Sequence, residues 1–395
     1  MKESKGFKET EIGLTPEDWE VVRLGEVAEI TMGQSPPGDT YNTFGKGIPF
    51  LQGKAEFGNI SPKHIKYTTK PLKIAKKGSV LISVRAPVGD VNIANMDYCI
   101  GRGLASLNLK NGKNEYLFYS LSYFKHLIEK ESYGSVFKAI NKENLARLKI
   151  PLPPLEEQKA IADILSTVQN AIEKTEKVID ATKQLKKSMM KHLFTYGAVA
   201  VDEIDKVKLK ESEIGLIPEH WEVVRLENVM EGFTPNKKLK QSDYKAIGKF
   251  PVIDQGQEYV AGFYDDETMV FDKDLPVILF GDHTRIIKYV DFPFICGADG
   301  LKIIIPKENF YRKYFYYALL NLNIPSRGYN RHFKILKEKL IPLPPLDEQQ
   351  KIANILTTID QKIQAEEKKK EALQSLFKTL LQQLMTGKIR VRHPS

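Results

Sequence analysis

The sequence predicts a mixed α/β fold: two tandem globular domains joined by two long helices that form an antiparallel coiled coil with pseudo-twofold symmetry. Three observations predict it. Residues 11–24 read EIGLTPEDWEVVRL and residues 213–226 read EIGLIPEHWEVVRL, one phrase stated twice with two changes. Residues 150–168, IPLPPLEEQKAIADILSTV, return at 341–359 as IPLPPLDEQQKIANILTTI, identical at 13 of 19 positions. Each closing phrase then opens a long run with apolar residues at spacings of three and four. A period of about 20–50 residues would mean a solenoid, whereas this one is half the chain and points to duplication of a whole domain.

The layout is therefore an opening phrase, a variable block and a closing phrase, all repeated. The first domain spans residues 1–149, with its opening segment at 8–27, and the first long helix 150–197. The second domain spans 198–340, opening at 210–229, and the second helix with a tail spans 341–395. The offsets of the two phrases, 202 and 191, make the second variable block eleven residues shorter than the first.

Within the first variable block, GSVLISV (78–84) and ASLNL (105–109) are strand-like, and YLFYSLSYFKHLIEK (116–130) reads as a helix. The second block keeps that order with LPVILF (275–280), GLKIII (300–305) and YFYYALLNL (314–322). In PLPPLEEQ the prolines lack N–H donors and hold their predecessors extended, so a helix can start only after them. Glu156, Glu157 and Asp163 then lie near a helix start, where carboxylates suit the positive end of the macrodipole. Ile161, Ile164, Leu165, Val168, Ile172, Val178, Ile179, Leu185, Met189 and Leu193 form one stripe on a helix of about forty residues, about 60 Å long, ended by Gly197. The second stripe runs through Ile352, Ile355, Leu356, Ile359, Ile363, Leu373, Leu376, Leu380 and Leu384 to Gly387, with a polar middle at 366–370. The two stripes bury each other most simply in an antiparallel pair; packing of each helix on its own domain is the alternative.

Of 395 residues, 42% are hydrophobic and 10% aromatic, values of a globular chain rather than a disordered one. Two cysteines, Cys99 and Cys296, make neither a disulfide framework nor a zinc cluster and read as small buried hydrophobes in a reducing compartment. The first ten residues have no apolar core of a signal peptide, and no run approaches the ~18 apolar residues of a membrane span. The expectation is a cytoplasmic protein. The net charge is +9. Residues 28–149 hold 18 Lys+Arg against 9 Asp+Glu, and residues 230–340 hold 17 against 14. The first block is thus strongly basic, which suits a polyanion such as DNA, or a merely solvated basic surface.

Catalytic motifs fail on inspection. Gly-Lys pairs occur, but none is followed by Ser or Thr as a phosphate-binding loop requires. Ser35-Pro36-Pro37 hints at the loop of adenine methyltransferases, yet Gly38 stands where the base-stacking aromatic belongs and no glycine-rich cofactor turn is present. Asp282 and His283, adjacent at a strand end, point to opposite faces and make a poor metal or nucleolytic pair; a loop donor for recognition or structure suits them better. The chain is expected to bind rather than catalyse, with no catalytic, metal or cofactor site of its own.

The paired closing phrases, the paired GLTPEDWEVVRL and GLIPEHWEVVRL, and TGKIRV (386–391) closely resemble the specificity (S) subunit of type I restriction–modification enzymes. So do IGRGLASL (100–107), FGDHTR (280–285) and GADGLK (297–302). The resemblance covers essentially the whole chain. It implies two target recognition domains, each reading half of a bipartite site on double-stranded DNA, and helices that set the spacer and dock two methyltransferase subunits. Those partners would carry S-adenosylmethionine and methylate adenine, and ATP-driven restriction subunits would translocate and cut unmodified DNA.

Base edges are read by Arg, Lys, Asn and Gln in bidentate contacts, while phosphates take Lys, Ser and backbone amides. On that chemistry the candidates are Gln52, Lys54, Arg85 and Arg102 in the first domain. In the second they are Gln255, Gln257, His283, Arg285 and Arg331, the last in a Gly-Tyr-Asn-Arg-His loop. Arg102 lies inside a family-like phrase, which leaves a structural role open. The competing reading is a coiled-coil scaffold that joins proteins without reading DNA; the basic block and the Gln- and Arg-bearing loops argue against it. A self-sufficient methyltransferase or nuclease would need the cofactor motifs that are missing.

Overall fold

In the computed structural model, which describes residues 6–132, 139–326, 328 and 330–391, the opening and closing phrases pair with each other. Glu20–Arg23 runs antiparallel to Lys149–Leu152, with Val22 opposite Ile150. Glu222–Arg225 pairs in the same register with Leu340–Leu343, Val224 opposite Ile341. The phrases recur together because each is half of one ladder. Both strands of a two-stranded ladder are edges, so Pro151 and Pro342 are tolerated there without their N–H groups.

The chain divides into two compact units, Met1–Glu176 with Lys368–Ser395, and Lys177–Glu367. The long helices are Leu155–Tyr196 and Leu346–Met385, followed by Gly197 at φ 81° and Gly387 at φ 66°, the left-handed geometry that ends helices. Each helix gives one half to each unit. In the second unit Lys183 pairs with Glu367 at 2.7 Å and Lys186 with Asp360 at 2.6 Å, so numbering falls on one helix as it rises on the other. In the first, Lys370 meets Glu176 at 2.8 Å. The halves are antiparallel in both.

Burial follows two routes at once. Ile161 and Leu165 share a core with Leu384 and Met385 of the opposite helix and with Trp19 and Tyr116 of the globular part. Leu193 and Phe194 do the same with Ile352, Leu356, Trp221 and Tyr314. The expected stripe is corrected at three places: Val178, Leu185 and Leu376 are exposed. A two-helix seam covers a narrower arc than a helix lying on a core, and these positions fall outside it.

Each unit carries a four-stranded antiparallel sheet and a second sheet with one parallel pair. In the first unit the order is Val91–Ile93, Val80–Ser83, Leu104–Leu109, Ala28–Met32. In the second it is Ile287–Val290, Val277–Gly281, Leu301–Pro306, Met230–Phe233. The parallel pairs are Ile48–Leu51 with Tyr98–Ile100, and Phe250–Ile253 with Phe294–Cys296. The predicted strands at 78–84, 105–109, 275–280 and 300–305 are all present with shifted ends. The helix predicted over 116–130 is corrected to two, Asn114–Tyr123 and Lys125–Ser132. Phe124 ends the first at ψ 18° and turns its ring into the core, so packing overrides a sequence with no glycine or proline to mark the break. Cys99 and Cys296 are both buried.

Candidate nucleic-acid interface

In the first unit, three loops meet backbone to backbone where the strands of the two sheets end. Gly101 donates its N–H to the Leu51 carbonyl at 2.7 Å and Gly103 donates to the Gln52 carbonyl at 3.2 Å. Val84 donates to the Gly103 carbonyl at 2.9 Å, which brings Arg85 to the same place. A Cβ on Gly103 would lie 2.6 Å from the Gln52 carbonyl oxygen, so the close approach requires glycine. The Gly-Arg-Gly of IGRGLASL thereby gathers Gln52, Arg85 and Arg102, all three exposed. The Arg102 N–H is tied to Ser35 Oγ at 3.3 Å, which fixes its backbone and leaves the guanidinium outside.

Lys54 belongs to the same loop but is held by a carboxylate of its own unit. Its ammonium meets Asp90 at 2.6 Å, and Lys125 meets the same carboxylate at 2.8 Å. Burial pushes the Asp90 carboxyl up, but the hydrogen bonds from Lys125 and Lys54 outweigh it and hold the pKa below the ordinary aspartate value. Lys54 in this structure braces the loop it was expected to read from.

The second unit builds the matching place from different side chains. Gln255 donates from Nε2 to the Asp299 carbonyl at 2.7 Å, accepts from the His283 N–H at 3.1 Å, and its carbonyl accepts from Thr284 Oγ1 at 2.7 Å. Its amide links two neighbouring loops instead of standing open for a base edge. Arg285, at φ 65°, donates from Nη1 to the Ile324 carbonyl at 2.8 Å and holds that segment. Gln257 and Arg331 are exposed and His283 is half-buried. Tyr329 of the Gly-Tyr-Asn-Arg-His loop lies outside the described residues.

Asp282, a residue the sequence offered only as a weak pair with His283, organises this region. It is buried, and its Oδ1 accepts from the N–H groups of His332 at 2.8 Å and Phe333 at 2.7 Å. It thereby caps the short helix Phe333–Lys337 and places Arg331 at its entrance. Among the described residues no group of three or more His, Cys, Asp or Glu is placed to hold a metal ion, and no helix is long and apolar enough to cross a membrane. Exposed amide and guanidinium groups on loops braced by buried hydrogen bonds can form hydrogen bonds to base edges and phosphates.

The family model for the type I restriction modification DNA specificity domain matches twice, over residues 16–183 and 218–375. The putative MjaX specificity subunit of Methanocaldococcus jannaschii is 55% identical over 197 residues, covering 49% of this chain and 46% of that protein. This chain thus spans under half the length of that relative in the matched part. The MjaVIII specificity subunit of the same organism is 30% identical over 98% of this chain and 97% of its own. The crystal structure of a type I restriction–modification S subunit from M. genitalium superposes with a TM-score of 0.70 at 21% identity, covering 93% of this chain and 96% of that one, and shows the shared fold. The chain belongs to the type I restriction–modification DNA specificity family.

Proposed function

We propose that this chain is the DNA sequence-recognition subunit of a type I restriction–modification enzyme, each unit reading one half of an asymmetric bipartite site. The helices fix the unread gap and, with the repeated frame, dock two methyltransferase subunits. The chain itself carries no chemistry: S-adenosylmethionine belongs to the methyltransferase subunits and ATP to the restriction subunits.

One observation carries this reading. Key bonds of the frame repeat in both units while the loops it supports do not. Gln158 and Gln349 each donate to a proline carbonyl five residues back at 2.8 Å. Tyr116 and Tyr314 each donate to a carbonyl of the closing strand, at 2.8 and 2.9 Å. On this common frame the first unit presents Gln52, Arg85 and Arg102, and the second Gln257, His283 and Arg331. Like frames with unlike readers address an asymmetric site, whereas identical readers would address a palindrome.

The test is to co-produce the chain with its cognate methyltransferase subunit and map methylated adenines by sequencing. A split motif with a fixed gap is expected; a continuous motif, or none, contradicts the reading. Inserting one helical turn within residues 169–185 is expected to change the gap and leave both half-sites intact.

A further inference from the structure

The outer strand of each four-stranded sheet carries one buried polar side chain at the same register position. Asn92 lies opposite Leu81, itself opposite Ser106. Lys288 lies opposite Leu279, itself opposite Ile303. Both are buried, at 1% and 5% exposure. Each reaches the loop that follows the earlier strand of the parallel pair in the neighbouring sheet, Ile48–Leu51 in one unit and Phe250–Ile253 in the other. Asn92 Nδ2 donates to the Gly58 carbonyl at 3.0 Å and its Oδ1 accepts from the Gly58 N–H at 3.0 Å. Lys288 Nζ donates to the carbonyls of Asp254 at 2.8 Å and Glu258 at 2.6 Å.

Those loops carry Gln52 and Lys54 in one unit and Gln255 and Gln257 in the other. An apolar side chain would fill either strand position without desolvating a polar group, and burial lowers the Lys288 pKa, the mark of a charge held at a cost. The two devices also differ in kind. An amide offers a donor and an acceptor and grips both backbone groups of one residue, the N–H and the carbonyl of Gly58. An ammonium offers donors only and draws together two carbonyls four residues apart. The result is two loop shapes on one scaffold. A glutamine amide or a guanidinium discriminates bases only when its backbone is held still.

We propose that Asn92 and Lys288 are matched positioning residues, each fixing the backbone of one recognition loop and thereby setting the specificity of one half-site without touching DNA. This rests on the reading of the two units as half-site readers, and the wild-type control separates the two ideas. Each variant is co-produced with the methyltransferase subunit and its methylated adenines are mapped beside those of the wild type. A wild type with no split motif sinks the function itself. Given a split motif, Lys288→Met is expected to relax one half-site, raising methylation at sites mismatched there by roughly tenfold, with the other half-site and the gap unchanged. Asn92→Leu is expected to relax the other half-site only. Lys288→Gln, which keeps an N–H donor, falls between wild type and Lys288→Met, and decides in the same way should Lys288→Met give no soluble complex. Maps identical to the wild type, or equal loosening of both half-sites by either variant, overturn the proposal.

Discussion

Trp19 and Glu157, 138 residues apart in sequence, meet through an indole N–H donated to the carboxylate at 2.9 Å. Trp221 and Glu348 repeat the bond at 2.9 Å in the second unit. Around this shared bond the units diverge. Arg390 donates to Glu157 from Nε and Nη2, each at 2.8 Å, and to Asp18 from Nη1 and Nη2 at 2.8 and 2.6 Å. In the second unit His220 stands where Asp18 does, and Ala200 of GAVAV stands where Arg390 of GKIRV does. His220 Nε2 meets Glu348 at 2.7 Å and takes over the arginine's place on the carboxylate. One of the two changes between the opening phrases is thus a partner change. It ties the segment after the second helix to the first unit.

Glu157→Ala is expected to destabilise the first unit by ~3 kcal/mol, since it leaves the buried Trp19 N–H without its acceptor and the Arg390 guanidinium with Asp18 alone. Calorimetry is expected to show one transition falling in temperature, with Glu157→Gln falling less because an amide oxygen still accepts from Trp19.

Asp18 and Arg390 are expected to couple by about 1 kcal/mol in a double-mutant cycle, the usual range for a partly exposed bidentate pair. Arg390→Ala would then be better tolerated in an Asp18→His background than in the wild type. Additive losses would assign the co-occurring changes to chance.

Asp90 predicts an acid limb. Its folded pKa is depressed below the unfolded value, so its contribution is fully present above the ordinary carboxylate pKa and is lost as pH falls through the folded value. Asp90→Asn is therefore expected to cost roughly 1 kcal/mol near neutrality and progressively less below about pH 4. Chemical denaturation at a series of pH values measures the difference.

Arg102→Ala and Gln257→Ala are each expected to weaken methylation by roughly tenfold at sites bearing their own half-site base, without altering the other half. Arg102→Lys separates the roles: a phosphate contact survives it, whereas a base contact that depends on the planar guanidinium fork is weakened. The measurement is the fraction methylated at each genomic site in the mapped set.

Much of this was legible in the sequence, and the gaps have a common cause. Gly197 and Gly387 mark the helix ends because left-handed geometry is a local demand, and the short continuous apolar runs give the strands for the same reason. The pairing of Val22 with Ile150 is not local, so the two phrases read as separate punctuation rather than one ladder. The sharing of each helix between both units is likewise invisible to periodicity, and so is the exposure of Leu185 and Leu376. For the site, residue type picks out Gln52, Arg102 and Gln257 as available donors. It cannot tell them from Gln255, Arg285 and Lys54, whose donors bond within the unit. Asn92 and Lys288 escape notice altogether, because a polar residue in a strand looks solvent-facing until its sheet is known.

The central claim is that one frame, stated twice, supports two independent readers. Its most direct measurement is the methylation map of a chain in which residues 230–340 are replaced by a second copy of residues 28–149, co-produced with the same methyltransferase subunit. The expected result is a palindromic split motif whose halves both match the half-site lost on Arg102→Ala. A motif that stays asymmetric, retaining the original second half, would contradict it.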